Sequence, residues 1–374
     1  MADPAKGHGI EIKHLYKIFG RRASDHLAAV QGGLSKADLM RGHAHVLGLR
    51  DINISMPGGS IQVIMGLSGS GKSTLIRHIN RLIDPTAGEV LIDGVDVVKM
   101  GKADLQQFRR HQTAMVFQKF ALLPHRTVLE NTVYGLQIQG LPRKQQLDSA
   151  MRWIERVGLG GFQDRYPNQL SGGMQQRVGL ARALTNNASI LLMDEAYSAL
   201  DPLIRMDMQT VLLDLQKEIK KTVVFITHDL DEALRLGDQI AILRDGEVIQ
   251  QGTSQDIVLH PADEYIANFV KEVNRGRVIH VDAVMSPFRP GDGTTQGVTI
   301  PSGATIEDGL RALAHAPEAG LTVVAPTGEP IGTVNLRQLA GALVNPGPAA
   351  SVQAALEPQY SDTHRQVVRD KSFT

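Results

Sequence analysis

A loop of glycine and serine between a short apolar strand and a helix constrains this fold more than any other feature. The strand is predicted over residues 61–65 and the helix over 72–82, and the loop at 66–73 reads Gly-Leu-Ser-Gly-Ser-Gly-Lys-Ser. Glycine lets the backbone curl until successive N–H groups point inward, and the helix N-terminus adds positive potential. The segment fits the pattern G-x-x-x-x-G-K-[ST], and its context predicts a phosphate-binding loop rather than a plain turn.

The side chains of this loop match the chemistry of a nucleoside triphosphate bound with Mg²⁺. The ammonium of Lys72 is expected to reach the β- and γ-phosphates, and the hydroxyl of Ser73 is expected to ligate the metal ion. The sequence therefore predicts ATP and Mg²⁺ as cofactors. The residues predicted to bind the nucleotide from this segment are Gly66, Ser68, Gly69, Ser70, Gly71, Lys72, Ser73 and Thr74.

An acidic pair follows a second buried strand, predicted over residues 190–193. Asp194 would stand at the end of this strand, where its carboxylate can hold Mg²⁺ directly or through water. Glu195 comes next and can act as the general base that polarises the attacking water. An Asp-Glu pair after a strand could also cap a helix, and the loop at 66–73 favours the catalytic interpretation.

Strand and helix signals alternate along the first part of the chain, which is typical of a parallel sheet with crossover helices. Buried strands at 190–193 and 223–226 flank a helical segment at about 203–220. The fold class predicted is therefore α/β. The other segments predicted to be mainly helical are 104–118 and 144–185, with turns at Pro124, Gly135 and Pro167.

The composition changes near residue 286, where Pro, Gly and Thr become frequent and indicate a linker or loop over 286–297. A smaller α+β unit is predicted beyond it, followed by an irregular tail from about residue 345. The predicted elements of this unit are a helix at about 305–315, strands at 321–325 and 330–335, and a helix at 336–344.

Composition excludes several other classes of protein. The chain has 39 Lys and Arg against 39 Asp and Glu, so it lacks the basic excess of a protein that coats nucleic acid. It has no cysteine, which excludes disulfides and thiolate metal sites. The N-terminal residues lack the apolar core of a signal peptide, and no run approaches the roughly 18 apolar residues of a spanning helix. We expect any work at a membrane to be done through partners.

A third motif, Leu-Ser-Gly-Gly-Met at residues 170–174, places a serine and two glycines before a helix. Together with the loop at 66–73 and the acidic pair, it resembles the signature of the ABC transporter ATPases, whose commonest form is LSGGQ. The resemblance implies a P-loop NTPase (RecA-like) cassette with a helical subdomain at about 119–180. It also implies an ATP-dependent, head-to-tail homodimer. The residues implied to act across that dimer are Ser171, Gly172, Gly173 and, in a later loop, Asp201.

The resemblance implies roles for further residues in chain order. Gln118 matches the Q-loop glutamine that ligates Mg²⁺ and water and senses the membrane subunit, and His228 matches the switch histidine that contacts the γ-phosphate. Phe19 is similar to the aromatic residue that stacks on adenine, with Tyr16 as the competing choice. The catalytic residues implied are Glu195, His228 and Gln118, and the metal ligands implied are Ser73, Gln118 and Asp194.

Several stretches narrow the resemblance to the ATPases of glycine betaine and proline betaine importers. They include Met-Asp-Glu-Ala-Tyr-Ser-Ala-Leu-Asp-Pro-Leu-Ile-Arg at 193–205, His-Asp-Leu-Asp-Glu-Ala at 228–233, and the extra segment at 21–48. The methionine of the signature motif is a further match. Within the extra segment, His43 and His45 could suggest a metal site, and a solvated loop is the favoured interpretation.

The unit after the linker resembles one CBS motif, which that subfamily usually appends to its ATPase as a tandem pair. Asn335 and Gln338 stand where such domains often carry the Ser/Thr and Asp that bind adenosine ribose, so a packing or dimerisation role is an open alternative to nucleotide sensing. The domains implied are a cassette over 1–275, a CBS-like motif over 276–345 and an irregular tail over 346–374.

The function implied is ATP hydrolysis that drives uptake of glycine betaine, choline or a related quaternary ammonium solute. Membrane permease subunits would be direct partners, a substrate-binding protein an indirect one, and nucleic acid none. The chain would lie at the cytoplasmic face of the bacterial inner membrane as a peripheral protein. Three alternatives are an ABC importer for another solute such as an amino acid, an ABC protein of DNA repair or translation, and a regulatory module without turnover.

Overall fold

The computed structural model describes residues 8–118, 121–198, 200–289, 298–314 and 320–344. The chain divides into two compact units, Met1–Ala262 and Asp263–Thr374. The irregular tail predicted over 346–374 lies outside the described residues, as do Phe120, Ala199 and most of the predicted linker.

Regular elements occupy most of the described residues of both units. Numbered along the chain, the strands of the described residues are β1 (Ile10–Phe19), β2 (Val46–Met56), β3 (Ile61–Met65), β4 (Ala87–Ile92), β5 (Val95–Asp96), β6 (Thr113–Val116), β7 (Ile190–Asp194), β8 (Thr222–Thr227), β9 (Gln239–Arg244), β10 (Glu247–Gly252), β11 (Ser286–Pro287), β12 (Val298–Pro301), β13 (Leu321–Val324) and β14 (Pro330–Val334). The α-helices are α1 (Leu27–Gln31), α2 (Lys36–His43), α3 (Lys72–Ile79), α4 (Lys102–His111), α5 (Val128–Gln139), α6 (Arg143–Arg156), α7 (Gly172–Thr185), α8 (Pro202–Ile219), α9 (Leu230–Leu236), α10 (Ser254–Leu259), α11 (Glu264–Phe269), α12 (Arg275–Val278), α13 (Ile306–Leu313) and α14 (Leu336–Leu343).

The first unit is built on a six-stranded sheet in the order β10-β9-β3-β8-β7-β6. Five of its strands run parallel, and β10 returns antiparallel to β9. Every residue of β3, β7 and β8 is buried, as expected where both faces of a parallel sheet are covered. This sheet confirms the predicted α/β class.

A second sheet in the first unit, in the order β2-β1-β4-β5, is antiparallel throughout. It shares one buried core with the central sheet and with α3, through side chains that include Leu49, Ile64, Leu75 and Val224. Burial of apolar surface is the main favourable term in folding. The shared core therefore fixes β2 next to the start of α3, where the phosphate-binding loop is predicted.

The extra segment between β1 and β2 is folded onto the second sheet. Helix α2 begins after Ser35, whose side chain accepts a hydrogen bond from the backbone N–H of Asp38. The polar sequence of 21–48 thus contains two short helices that pack on β1 and β2. The buried cluster that they form with these strands consists of Tyr16, Ile18, Val30, Leu39 and Leu47.

One strand and one glycine depart from the helical prediction. Residues 113–116 form β6, which pairs with β7, although helix was predicted across 104–118. A run of four residues is too short to show the period of a strand. Gly135 lies inside α5 and not in a turn. A Cβ there would lie 2.0 Å from the side-chain oxygen of Asn186, so the glycine leaves room for that side chain without breaking the helix.

The second unit contains a four-stranded sheet in the order β11-β14-β13-β12, in which β12 and β13 are parallel. Helices α13 and α14 pack against each other, and each begins with a capping box. These elements match the predicted helix, two strands and helix closely. Among the helices of the described residues in both units, none combines the length and the apolar character needed to span a membrane.

Candidate active site

The segments that carry the predicted site residues meet at one edge of the central sheet. In the parallel register Met65 pairs with Thr227 and Asp194 pairs with Ile226, so β3, β7 and β8 end at the same level. Parallel strands that end together place the loops that follow them side by side, and such edges are where α/β sheets bind ligands. The three loops are the glycine-rich loop, the acidic pair and the segment that begins with His228.

The glycine-rich loop forms an open backbone cradle that only glycine permits at two positions. The φ angles of Gly66 and Gly71 are 149° and 105°. A Cβ at Gly66 would lie 2.2 Å from the carbonyl oxygen of Leu243, and one at Gly71 would lie 2.8 Å from that of Gly48. Any side chain there would force the backbone to move, so the shape of the cradle follows directly from the sequence.

Ser68, Ser70 and Thr74 differ in what they offer to a ligand. Ser68 is exposed, whereas Thr74 is partly buried on α3. The carbonyl oxygen of Ser70 accepts a hydrogen bond from the N–H of Gly246 at 3.0 Å, while its buried Oγ has no hydrogen-bond partner among the described residues. A buried hydroxyl without a partner costs free energy.

Lys72 places a buried positive charge inside the cradle. Only 4% of its side chain is exposed, and its Nζ donates to the carbonyl oxygens of Gly66 and Leu67 at 2.8 and 3.0 Å. Burial lowers the pKa of Lys72, and the nearby carboxylates of Glu195 and Asp194 partly offset this effect. Since a buried charge is costly unless it is paired, the site is suited to anionic phosphate oxygens.

Ser73 and Asp194 bring a hydroxyl and a carboxylate together beside the cradle. Ser73 Oγ donates to Asp194 Oδ1 at 2.8 Å, and Nη2 of Arg77 lies 3.4 Å from Asp194 Oδ2. Oxygen atoms of this kind are the ligands that Mg²⁺ prefers, with phosphate and water completing its shell. The residues therefore fit a magnesium ion bound together with a nucleotide. Across the described ranges, no group of three His, Cys, Asp or Glu side chains could hold a metal ion by itself.

Three side chains converge on the carboxylate of Glu195. Gln118 Nε2 donates to Glu195 Oε2 at 3.0 Å, and His228 Nδ1 lies 3.8 Å from the same oxygen. Lys72 Nζ lies 3.8 Å from the other oxygen, Oε1. Glu195 itself has a φ of 47°, a left-handed conformation that is unfavourable for a residue with a side chain. Backbone strain of this kind is found where a functional group must be held in one place.

Phe19, at the end of β1, lies close to the phosphate cradle. Gly48 lies between them. A Cβ on Gly48 would lie 2.7 Å from Phe19 Cε2, and the carbonyl oxygen of Gly48 lies beside Gly71 of the cradle. Phe19 is 38% exposed, whereas Tyr16 is 8% exposed inside the small cluster under the extra segment. An aromatic ring can stack on a base only if its face is accessible, so the structure favours Phe19 over Tyr16.

The signature segment and Asp201 lie outside the contacts of this site. Helix α7, which packs against α5 and α6, begins after Ser171, whose Oγ accepts a hydrogen bond from Met174 N–H at 3.3 Å. Asp201 likewise caps α8, where its Oδ1 accepts from the N–H of Ile204 at 3.1 Å. Among the hydrogen bonds and ion pairs of the described residues, none joins these groups to the cradle. The residues concerned are Ser171, Gly172, Gly173 and Asp201.

Two residues of the site were not predicted, namely Arg77 and Gly48. Arg77 stands four residues after Ser73 on α3, and residues four apart share one face of a helix. That spacing is a signal from which its contact with Asp194 could have been predicted. Gly48 has no such signal, because its position between Phe19 and the cradle depends on the pairing of β1 with β2.

Three histidines lie together where the extra segment meets the end of β1. The ring centroid of His26 lies 4.4 Å from that of His43 and 4.3 Å from that of His45. His45 is buried, with Nδ1 2.6 Å from the carbonyl oxygen of His43 and Nε2 2.9 Å from that of Arg21. Carbonyl oxygens only accept hydrogen bonds, so both nitrogens must donate. These bonds raise the pKa of His45 and leave it no free lone pair for a metal ion.

We expect the extra segment to lose stability as the pH rises through the pKa of His45. Because that pKa is raised in the folded state, the stabilisation is fully present below the ordinary value of about 6.5 and is lost at higher pH. Asp25 also favours the charged ring, whereas burial and the neighbouring rings lower the pKa of His26. Proton NMR of the histidine rings measures the pKa of His45. Limited proteolysis after Arg21 and Arg22 at several pH values measures the stability of the extra segment.

The His45→Gln variant is the control for this prediction. It removes the ring whose pKa is raised, so the loss of protection against proteolysis on raising the pH should become much smaller. A His45 ring that titrates below the ordinary value, or a proteolysis rate that is independent of pH in the unaltered chain, would show that the prediction is wrong.

The chain is similar in sequence to one family model and to several characterised transport proteins. A family model described as ABC transporter matches residues 49–198. The glycine betaine transport ATP-binding protein OpuAA of Bacillus subtilis (strain 168) is 50% identical over 276 residues, which cover 74% of this chain and 66% of that protein. The chain thus spans just under two thirds of the length of this relative. The trimethylamine N-oxide transport system ATP-binding protein TmoW of Ruegeria pomeroyi (strain ATCC 700808 / DSM 15171 / DSS-3) is 43% identical over 326 residues, covering 87% of this chain and 94% of that protein.

A solved structure shares the fold. It is the dimeric structure of a post-hydrolysis state of an ATP-binding cassette bound to ADP and Pi, and it is 33% identical to this chain. The TM-score is 0.56, and the match covers 66% of this chain and 98% of that one. Sequence and structure comparisons therefore agree that this chain is similar to ATP-binding proteins of the ABC type.

Proposed function

The chain belongs to the ABC transporter ATP-binding proteins, and on that basis we propose that it hydrolyses ATP to drive uptake of a quaternary ammonium solute. Glycine betaine and choline are the solutes proposed, and a membrane permease is the proposed path. One observation carries the proposal, the convergence of a complete set of phosphate, metal and proton-handling groups at one edge of the central sheet. The set consists of Lys72, Ser73, Gln118, Asp194, Glu195 and His228.

The proposed chemistry divides these residues into groups that bind and a group that reacts. The N–H groups of the cradle and Lys72 bind and orient the triphosphate. Ser73, Asp194 and the amide oxygen of Gln118 would hold Mg²⁺, which when bound neutralises charge on the phosphates. Glu195 accepts the proton of the attacking water on its carboxylate.

The remaining side chains keep that carboxylate in place. Gln118 donates to Glu195 Oε2 at 3.0 Å, and His228 lies on the same side, where it can contact the γ-phosphate. Orientation of the water and fixed positive groups therefore add to the rate enhancement that Glu195 supplies as general base.

A second copy of the chain is the proposed partner that completes the site. The signature segment and Asp201 form no hydrogen bond or ion pair with the cradle of their own chain among the described residues, although the resemblance assigns both to the nucleotide. A head-to-tail dimer would bring them to the partner's cradle. The similar solved cassette is a dimer bound to ADP and Pi, which supports this arrangement.

The proposed solute rests on the relatives and not on any residue of this chain. OpuAA is named for glycine betaine transport and TmoW for trimethylamine N-oxide transport. Glycine betaine, choline and trimethylamine N-oxide all carry a trimethylated nitrogen, which a substrate-binding protein rather than this chain would recognise. The proposed location is the cytoplasmic face of the bacterial inner membrane, where the chain would bind permease subunits.

The solute is identified by uptake in vesicles that contain this chain, its permease and its binding protein. Radiolabelled glycine betaine, choline, trimethylamine N-oxide and an amino acid are compared at equal concentrations. Uptake of one or more trimethylated solutes supports the proposal. Uptake of the amino acid alone would favour the alternative importer.

Residues 276–345, within the second unit, are proposed to form a CBS-like packing or dimerisation module. Asn335 Oδ1 accepts a hydrogen bond from Gln338 N–H, and Gln338 Oε1 accepts one from Asn335 N–H, both at 2.9 Å. Both side chains are therefore used to start α14, which supports a packing role over recognition of adenosine ribose.

We expect Phe19→Ala to weaken ATP binding about 5- to 150-fold. Stacking of a base on an aromatic ring contributes about 1–3 kcal/mol, and this substitution removes the ring. Equilibrium titration with a fluorescent ATP analogue in the presence of Mg²⁺ measures the change. The Phe19→Tyr variant keeps a ring and should bind within about twofold of the unaltered chain.

Inorganic tripolyphosphate separates stacking from a general loss of structure. It has no base, so it should compete for the cradle equally well in the Phe19→Ala variant and in the unaltered chain. If Phe19→Ala bound the ATP analogue as tightly as the unaltered chain does, the assignment of Phe19 to adenine would be contradicted.

A further inference from the structure

One guanidinium group links the loop before α8 to the segment that carries the switch histidine. Arg205 lies in the first turns of α8, and about a quarter of its side chain is exposed. Its Nη2 donates to the carbonyl oxygen of Leu200 at 3.1 Å, and its Nη1 donates to Asp229 Oδ2 at 3.1 Å. Leu200 directly precedes Asp201, and Asp229 directly follows His228.

Asp229 in turn holds the backbone on both sides of its position. Its N–H donates to Thr227 Oγ1 at 3.0 Å, and its Oδ1 accepts from the N–H of Glu232 at 3.1 Å, which caps α9. One carboxylate oxygen therefore starts the helix while the other binds Arg205. Because His228 lies between Thr227 and Asp229, its backbone position depends on this arrangement.

A second set of contacts joins α8 to α9 behind the first. Gln209 Nε2 donates to Glu232 Oε1 at 3.1 Å, and Arg235 Nη1 donates to Gln209 Oε1 at 2.9 Å. Glu232 is buried, and burial raises the pKa of its carboxyl group. Hydrogen bonds between buried groups strengthen one another. These contacts hold α8 against α9 and thereby fix the positions of Arg205 and Asp229.

We propose that Arg205 is a positioning residue that couples the loop carrying Asp201 to the placement of His228 against Glu195. A movement of the Asp201 loop would shift the carbonyl oxygen of Leu200, and Arg205 would pass this shift to Asp229. His228 Nδ1 lies 3.8 Å from Glu195 Oε2, so a small displacement there changes the geometry of the reacting groups.

Only a forked side chain can make both contacts of Arg205 at once. The guanidinium presents its two terminal nitrogens in a fixed plane, whereas a lysine ammonium is a point charge on a flexible stem. The inference rests on the roles proposed above for His228 and Asp201 in ATP hydrolysis. It adds that the hydrolytic geometry depends on a residue that contacts neither nucleotide nor metal.

The test compares kcat and KM for MgATP in the full chain carrying Arg205→Lys, Asp229→Asn or both changes. We expect Arg205→Lys to lower kcat about tenfold or more while KM stays within about twofold, because orientation is lost and binding is kept. Since both residues act in one linkage, the double variant should lose little more than the more severe single variant. Thermal unfolding of every variant shows whether the fold is kept.

Arg156→Lys is the matched control. Arg156 forms an exposed ion pair with Glu218 at the far end of α8, and this pair should not affect kcat. A kcat for Arg205→Lys equal to that of the unaltered chain would overturn the inference, and so would a loss that falls on KM alone. Additive losses in the double variant would also overturn it. If the unaltered chain hydrolyses no ATP, the proposed function itself fails, which is a separate result.

Discussion

Replacing Glu195 with glutamine is expected to lower the rate of ATP hydrolysis by about 10²- to 10⁴-fold, the usual contribution of a general base. The amide has nearly the shape of the carboxylate, and its oxygen can still accept the hydrogen bond from Gln118 that is 3.0 Å long in this structure. It cannot take a proton from water at neutral pH. ATP binding should therefore remain, since the cradle and Lys72 are unchanged.

Two measurements on the Glu195→Gln variant separate the rate of hydrolysis from the affinity for ATP. Steady-state release of phosphate gives kcat, and titration with a fluorescent ATP analogue gives the dissociation constant. The control is Glu89→Gln, which makes the same chemical change on β4, where Glu89 pairs with the exposed Lys99. Hydrolysis by Glu195→Gln within about threefold of the unaltered rate would mean that another group acts as the base.

Replacing Lys72 with alanine is expected to reduce ATP affinity by about 30- to 4,000-fold. Loss of one partner from a buried, hydrogen-bonded charge pair costs roughly 2–5 kcal/mol, and Lys72 is a buried cation that is proposed to bind the phosphates. The change also removes the two bonds that hold the carbonyl oxygens of Gly66 and Leu67, so the cradle loses internal support. Both effects weaken the nucleotide site.

The shift in melting temperature caused by MgATP measures this loss without requiring turnover. Ligands that bind only the folded state raise its stability by an amount that grows with the logarithm of the ligand concentration divided by the dissociation constant, so the shift at a fixed MgATP concentration should be much smaller in Lys72→Ala. The control is Lys217→Ala on α8, because Lys217 is exposed and forms an ion pair with its neighbour Asp214. An unchanged MgATP shift in Lys72→Ala would show that the triphosphate binds elsewhere.

Much of the site could be predicted from the sequence because its parts follow buried strands. The runs before the glycine-rich loop, the acidic pair and His228 are short and apolar, which indicated parallel strands. Parallel strands end at one edge, which brings residues far apart in the chain together. The contacts of Ser73 with Asp194 and of Glu195 with His228 lie at that edge, and the role of His228 was implied by the family resemblance.

Contacts that depend on three-dimensional proximity alone could not be predicted. The position of Gly48 beside Phe19 requires the pairing of β1 with β2, and the link from Arg205 to Asp229 requires two helices to pack. The left-handed conformation of Glu195 is likewise invisible in the sequence, since glutamate does not favour it. Gly135 shows the reverse case, in which a residue that usually marks a turn lies in a helix, and the side chain of Asn186 occupies the space beside it.

ATP-driven uptake by sealed vesicles tests the central claim most directly. The vesicles carry this chain, its permease and its binding protein, with ATP supplied on the side of the chain, and radiolabelled glycine betaine and choline are followed. We expect uptake with the unaltered chain and none with Glu195→Gln, although that variant still binds MgATP. Uptake that persists with Glu195→Gln, or that proceeds without ATP, would contradict the claim that this site powers import.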